Sequence, residues 1–363
     1  MNRPRILPAI AICLVACCAV VRGQLAIPAP AKTATVIDAA TGKIIDDAVA
    51  ANFNKLLTAV PEARKEAREA IVNDARVGGG ELSPAYAARY SQAVATEAMK
   101  KEVAEAPPAV RLNVAIAVAR VAEQTHSAKL EAVALALMDE AQPEYIKLWG
   151  MRAARGIMPD LVKANAQDKL VKRMQEVVAK WPSGAITAEA YAAMQVLNAR
   201  MIDAMLDLAE IRIKLYELGL PEDPINEREP FLFLGRQQNW NALTPAQKLR
   251  TLALTYRLLR VAALHADQAA MGSIERDQLI ATMGQAGNTG GVLGSLQVWG
   301  TLMNDQGLVN AAKASLAMAG RGKATEAVKS ACDALKAVSG IKIEEPKLDP
   351  PPKSEKLRLP VGA

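Results

Sequence analysis

Two histidines, four cysteines and a scatter of carboxylates are the groups in this chain that could react or hold a metal. His126 and His265 stand far apart, so the spacing that puts two imidazoles on one helix face for zinc does not occur. His126, between Thr125 and Ser127, falls at an expected helix break, where capping accounts for it. His265, beside Leu264 and before Asp267, reads as a helix-surface residue. Cys13, Cys17 and Cys18 crowd the leading segment, while Cys332 shares an apolar face with Val328, Leu335 and Val338. That pattern suits a small buried hydrophobe rather than a reactive thiol. Ser339-Gly340-Ile341-Lys342 has the Ser-x-x-Lys spacing of some acyl-enzymes, but it closes a helix instead of opening one. The glycines at 284, 287, 290, 291 and 294 could offer backbone amides to an anion; with no strand before them, they read as a helix–helix turn. No catalytic residue, metal-ligand set or cofactor loop is expected.

Carboxylates are plentiful, and pairs such as Glu62 with Lys65 and Lys65 with Glu69 have the spacing of helix-surface charge partners. An acid pair of the glycosidase kind stays open as an alternative. Trp149 and Trp299 lie in apolar helical stretches and Trp181 and Trp240 at breaks, which favours packing over sugar stacking for all four. Two basic clusters are the candidate binding surfaces. Arg250, Arg257 and Arg260 share one helix face; Lys147, Arg152 and Arg155 lead a second cluster that continues through Lys163, Lys169, Lys172, Arg173 and Lys180. Either could meet a protein or an acidic polymer.

The elements that must carry these residues are helices. Apolar residues make up 51% of the 363, yet there are only three Phe, six Tyr and four Trp. Alanine dominates, and it favours helix and close helix approach while burying little area per residue. Many helices sharing a long interface are needed, and the alternation of strands is nearly missing. The fold class read from this is all-α: stacked helical hairpins, an α-solenoid or irregular array, with one long central helix.

That helix is expected over Thr187–Leu218. Met194, Leu197, Met201, Ala204, Leu208, Ile211, Leu215 and Leu218 recur every three or four residues, and Leu249, Leu252, Tyr256, Leu259, Ala263 and Ala266 repeat the pattern. Between the two stripes, residues 219–243 hold Pro221, Pro224 and Pro230 and two of the three phenylalanines, Phe231 and Phe233. This stretch reads as an irregular loop with the phenylalanines plugging a gap.

The net charge is +6, and setting aside Arg3, Arg5 and Arg22 of the leading segment leaves +3, too little to argue for nucleic acid. A basic start, an apolar run over Ile6–Val21 and Val21-Arg22-Gly23 lay out a secretory signal over 1–23. Leu14-Val15-Ala16-Cys17 alternatively resembles a bacterial lipobox, with the signal ending at 16 and a lipid on Cys17. Export to the periplasm or cell exterior follows, with membrane attachment only through that lipid. The remaining division is a linker over 24–44, a helical-repeat region over 45–218, the 219–243 loop, a second helical region over 244–339 and a disordered tail over 340–363.

Val110-Arg111 and Ile146-Lys147 open two segments that align at an offset of 36 residues. Small residues follow in each: Val114, Ala115 and Ala117 in one, Gly150, Ala153 and Ala154 in the other. Val121 and Ile157 close them. This resembles the first helix of a HEAT repeat over about Pro107–Pro182, and Asp139 occupies a turn position where such repeats often carry aspartate. The resemblance implies an α-solenoid whose role is binding other macromolecules. The functional expectation is an exported, non-enzymatic scaffold for a protein or an acidic envelope polymer. An envelope polysaccharide hydrolase or lyase and a purely structural oligomer are the alternatives.

Overall fold

The computed structural model describes residues 26–58, 60–78, 81–218, 227–268, 283–284, 291–320 and 323–346, the side chains of 265–268, 320 and 324 aside. Helix accounts for 78% of them and there is no strand among them, so the all-α class holds. The helices are α1 (Ala29–Thr33), α2 (Ala39–Leu56), α3 (Pro61–Asp74), α4 (Pro84–Ala98), α5 (Lys101–Ala104), α6 (Pro108–Thr125), α7 (Glu131–Leu137), α8 (Glu144–Lys163), α9 (Asp168–Lys180) and α10 (Gly184–Met194). They continue with α11 (Ala199–Glu217), α12 (Arg228–Leu234), α13 (Gln237–Ala242), α14 (Pro245–Gln268), α15 (Val292–Leu302), α16 (Gln306–Gly320) and α17 (Ala324–Ala337).

Nine of the first eleven helices, α1 and α5 aside, fall into two rows. In one row α3, α6, α8 and α10 pack side by side; in the other α2, α4, α7, α9 and α11 do so, and successive helices pair across the rows. Such a stack is compatible with a helical-repeat fold. Small residues set the spacing. Ala115, Ala117, Ala119 and Ala122 of α6 and Ala153 and Ala154 of α8 are buried. A Cβ on Gly156 would stand 2.6 Å from the Ala122 backbone, so α6 and α8 touch at a point only glycine allows. The two aligned segments of the sequence are thus neighbours in one row.

Beyond α11 the helices close on themselves. α14 packs on α11 and α17, α17 on α16, α16 on α15, α15 on α12, and α12 returns to α10 and α11. Trp240 and Trp299 stack at 4.9 Å inside this ring, and Trp299 Nε1 donates to the Leu234 carbonyl at 3.0 Å. These two tryptophans are fully packed, while Trp149 and Trp181 lie partly buried against the core.

Helix starts follow local chemistry. Ser83 Oγ accepts from Tyr86 N at 3.1 Å with Pro84 at the first position of α4. Thr244 and Gln247 exchange bonds of 3.0 and 3.2 Å, a capping box that opens α14.

Four expectations are corrected. The single long helix over Thr187–Leu218 is two helices, α10 and α11. The chain leaves helical geometry at Gln195, and Asn198 accepts from Arg200 N at 2.9 Å to start α11. The corner resets the phase of the stripe: Met201, Ala204 and Leu208 are buried, Ile211 is only partly so, and Leu197 and Leu218 are each 42% exposed. The 24–44 linker holds α1 and the first turn of α2. Pro30 suits the start of α1, Lys32 Nζ donates to the Asn73 and Arg76 carbonyls, and Asp38 caps α2 through Thr41 N at 2.7 Å. From Arg228 the 219–243 stretch is helical, with Phe231 and Phe233 buried as a plug against α15, and Pro230 lies in the first turn of α12 where no intrahelical donor is lost. Residues 340–346 of the tail lie packed across α14 and α17 in extended form. The signal segment with Cys17, residues 219–226, 269–282 and 285–290 (with Gly287 and Gly290 of the expected glycine turn) and residues 347–363 lie outside the described residues.

Candidate binding surfaces

Most of the candidate basic residues have a partner inside the chain, while Lys169 and Lys172 of α9 are exposed. Lys147 is 1% exposed: its Nζ donates to the Glu140 carbonyl at 3.0 Å and to that of Gln142, and sits 3.9 Å over the Trp181 ring. It therefore ties the α7–α8 turn to α8 and is not part of an outer surface, which corrects its place in the basic cluster. Burial holds its ammonium below the ordinary lysine range, against the pull of Asp139, Glu140 and Glu144.

Arg152 and Arg155 form a ladder along the α6–α8–α10 row. Arg152 Nε donates to Glu189 at 2.8 Å, while Arg155 bridges Glu189 at 2.6 Å and Glu123 at 3.0 Å. Arg120 completes the chain by pairing with Glu123 at 3.0 Å. Trp149 lies beneath this ladder, with the Arg152 guanidinium 4.4 Å and that of Arg120 6.0 Å from its ring.

Arg250, Arg257 and Arg260 do share one face of α14, and that face meets carboxylates. Arg250 bonds Asp207 at 2.6 Å and Glu210 at 2.9 Å, and Arg257 grips Glu217 with both nitrogens, all across the α11–α14 contact. Arg260 stands 3.6 Å from Glu345 of the C-terminal segment. Further along the first cluster, Lys163, Arg173 and Lys180 stand within 4 Å of Asp160, Glu176 and Glu140.

One buried charge pair had no sequence signature. Arg212 and Glu227 are both fully buried and bonded to one another; Tyr216 donates to Glu227 at 2.8 Å and Arg212 to the Pro182 carbonyl at 2.9 Å. Four residues after Leu208, Arg212 stands on the buried stripe of α11 itself, where spacing alone would place an apolar residue. It clamps the start of α12 to the α9–α10 turn, a structural use of charge.

One concave feature lies at the edge of the first row. A groove of about 620 Å³ runs past the C-terminal ends of α3, α6 and α8, between Arg76, Glu81, Ala88, Gln124, His126, Asp160 and Lys163. His126 ends α6 in the left-handed region at φ 52°, and its Nδ1 donates to the Gly156 carbonyl at 2.8 Å, which is capping with an added side-chain bond. The ring remains exposed on the groove. His265 falls in α14, its side chain outside the described residues. Cys332 is buried with its thiol pushed up to about 12 by burial. No group of three or more His, Cys, Asp or Glu suited to a metal occurs among the described residues, and no helix there is long and apolar enough to cross a membrane.

No family model matches the chain, and no curated protein matches it significantly.

Proposed function

We propose that this chain is an exported helical-repeat scaffold of the HEAT-like kind whose partner is a protein segment, bound in the groove at the ends of α3, α6 and α8. The groove carries the reading: it is the place where three successive helices of one row turn polar and leave room for a chain. Its titratable lining is balanced, with Arg76 and Lys163 against Glu81 and Asp160. Three helix C-termini and the N-terminal turn of α4, at Pro84, Ala87 and Ala88, meet there, so opposite partial charges line the groove and suit a segment with both donors and acceptors. Of the two partner classes considered from sequence, an acidic polymer is the less favoured. It would have to displace Glu189, Glu123, Asp207, Glu210 and Glu217 from the arginines that hold them.

Selection of peptides from a displayed library against the full chain tests this. Selected peptides should lose tenfold or more in affinity for Ala88→Trp, which obstructs the groove, while the variant keeps its helical circular dichroism. Equal binding to that variant, or release of new reducing ends from an envelope polysaccharide with turnover, would overturn the proposal.

A further inference from the structure

After α17 the chain turns at Gly340, whose φ of +82° favours glycine, and runs back over α14 as an extended strap. The strap alternates: Ile341 and Ile343 pack on the core while Lys342 and Glu344 face out. No backbone–backbone hydrogen bond joins residues 342–346 to a helix among the described residues. Side chains hold it instead. Glu345 meets Lys336 at 2.7 Å, the Tyr256 hydroxyl at 2.5 Å and Arg260 at 3.6 Å, and Glu344 lies 3.7 Å from Arg257. Three cations from two helices therefore face two adjacent carboxylates, beside an apolar floor that takes two isoleucines.

A hollow of about 370 Å³ lies beside the strap where α14 meets α11, lined by Ala246, Leu249 and Leu254, by Arg250, Arg257 and Lys342, and by the carboxylates of Glu210 and Glu344. Its charges are matched in part, with Arg250 bonded to Glu210 at 2.9 Å and Arg257 at 3.7 Å from Glu344. The strap thus has the features of a ligand for the α14–α17 surface, with its isoleucines on the apolar floor and its acids on the cations.

We propose that the α14–α17 groove is a second docking site, for an extended segment of a partner protein with alternating apolar residues followed by two acids, and that the C-terminal strap occupies it in its place. This site is separate from the groove beside His126, and neither requires the other. The strap is displaced when the partner segment binds, because both need Lys336, Arg260 and the same apolar floor.

The probe is a fluorescent synthetic nonapeptide with the sequence of Val338–Pro346, used with the full chain. Ile343→Asn with Glu345→Gln loosens the strap without touching the groove, and this variant should bind the peptide at least tenfold more tightly than the unaltered chain. Adding Lys336→Glu to it should abolish that gain, and a peptide with both glutamates changed to lysine should not bind. Absence of binding by the loosened variant with its helical spectrum intact would overturn the proposal, as would binding indifferent to Lys336→Glu. If the loosened variant fails to fold, the unaltered chain decides: excess peptide should speed tryptic cleavage after Lys342 several-fold, and an unchanged rate overturns the proposal. Concentration-dependent dimers of the unaltered chain, linked through exchanged straps, would show that the occupant is a second copy and would also overturn it.

Discussion

Lys147 shows how much a single side chain can differ from its surface reading. Its spacing made it one of a basic cluster, yet its ammonium satisfies two turn carbonyls and covers an indole. Lys147→Ala should cost about 1–3 kcal/mol in urea denaturation, because two carbonyls lose their donor. Gly156→Ala should cost a similar 1–3 kcal/mol or more, since the new methyl meets the α6 backbone, which has no rotamer by which to yield. Cys332 gives a pH test. Its thiol holds its proton in the folded chain up to about 12, against about 9 for the ordinary group, so this residue's contribution to stability is intact below 9 and declines as pH climbs from there through 12. Iodoacetamide at pH 8 should label it only on unfolding. The roles of His126 and Cys332 were legible in the sequence because each depends on near neighbours: a helix break and an apolar face. Arg212 was not, since its partner Glu227 comes from beyond the end of its helix and no periodicity announces a charge at the centre of an apolar stripe.

At the scale of elements, caps and composition were readable. Ser83-Pro84 and Thr244–Gln247 open helices where their chemistry demands, and the alanine-rich pair of segments became adjacent helices of one row. The corner between α10 and α11 was hidden because Met194, Leu197 and Met201 keep helical spacing through it; the break is made by Asn198, which the apolar pattern ignores. The stripe after the corner still supports its test. Leu208 is fully buried, and Leu208→Ala should lower stability by about 2–5 kcal/mol, measured in the same denaturation assay. The proline- and lysine-rich composition from Gly340 reads as a disordered tail, and what fixes 340–346 lies elsewhere in the chain: the core beneath Ile341 and Ile343, and Tyr256, Arg260 and Lys336 around Glu345. Lys336 and Tyr256 bonding holds the Glu345 carboxyl below the ordinary carboxylate range. That fixation is therefore present at neutral pH and lost as pH falls through the lowered value, which methyl signals of Ile341 and Ile343 would report as a loss of order.

The whole molecule combines a two-row stack with a ring of helices that returns to it through α12, and charge is largely used to join neighbouring helices. The arginines that suggested an acidic partner are matched across the α6–α8–α10 row and the α11–α14 contact. The groove beside His126 is the place proposed for the partner segment, apart from the surface that the strap occupies. Hydrogen exchange of the full chain with a selected peptide tests that claim most directly. Protection is predicted over Ala75–Ala88, Gln124–Ser127 and Pro159–Lys163, with α14 and the arginine face of α8 unchanged. Protection centred on Arg152 and Arg155, and none along those three segments, would contradict it.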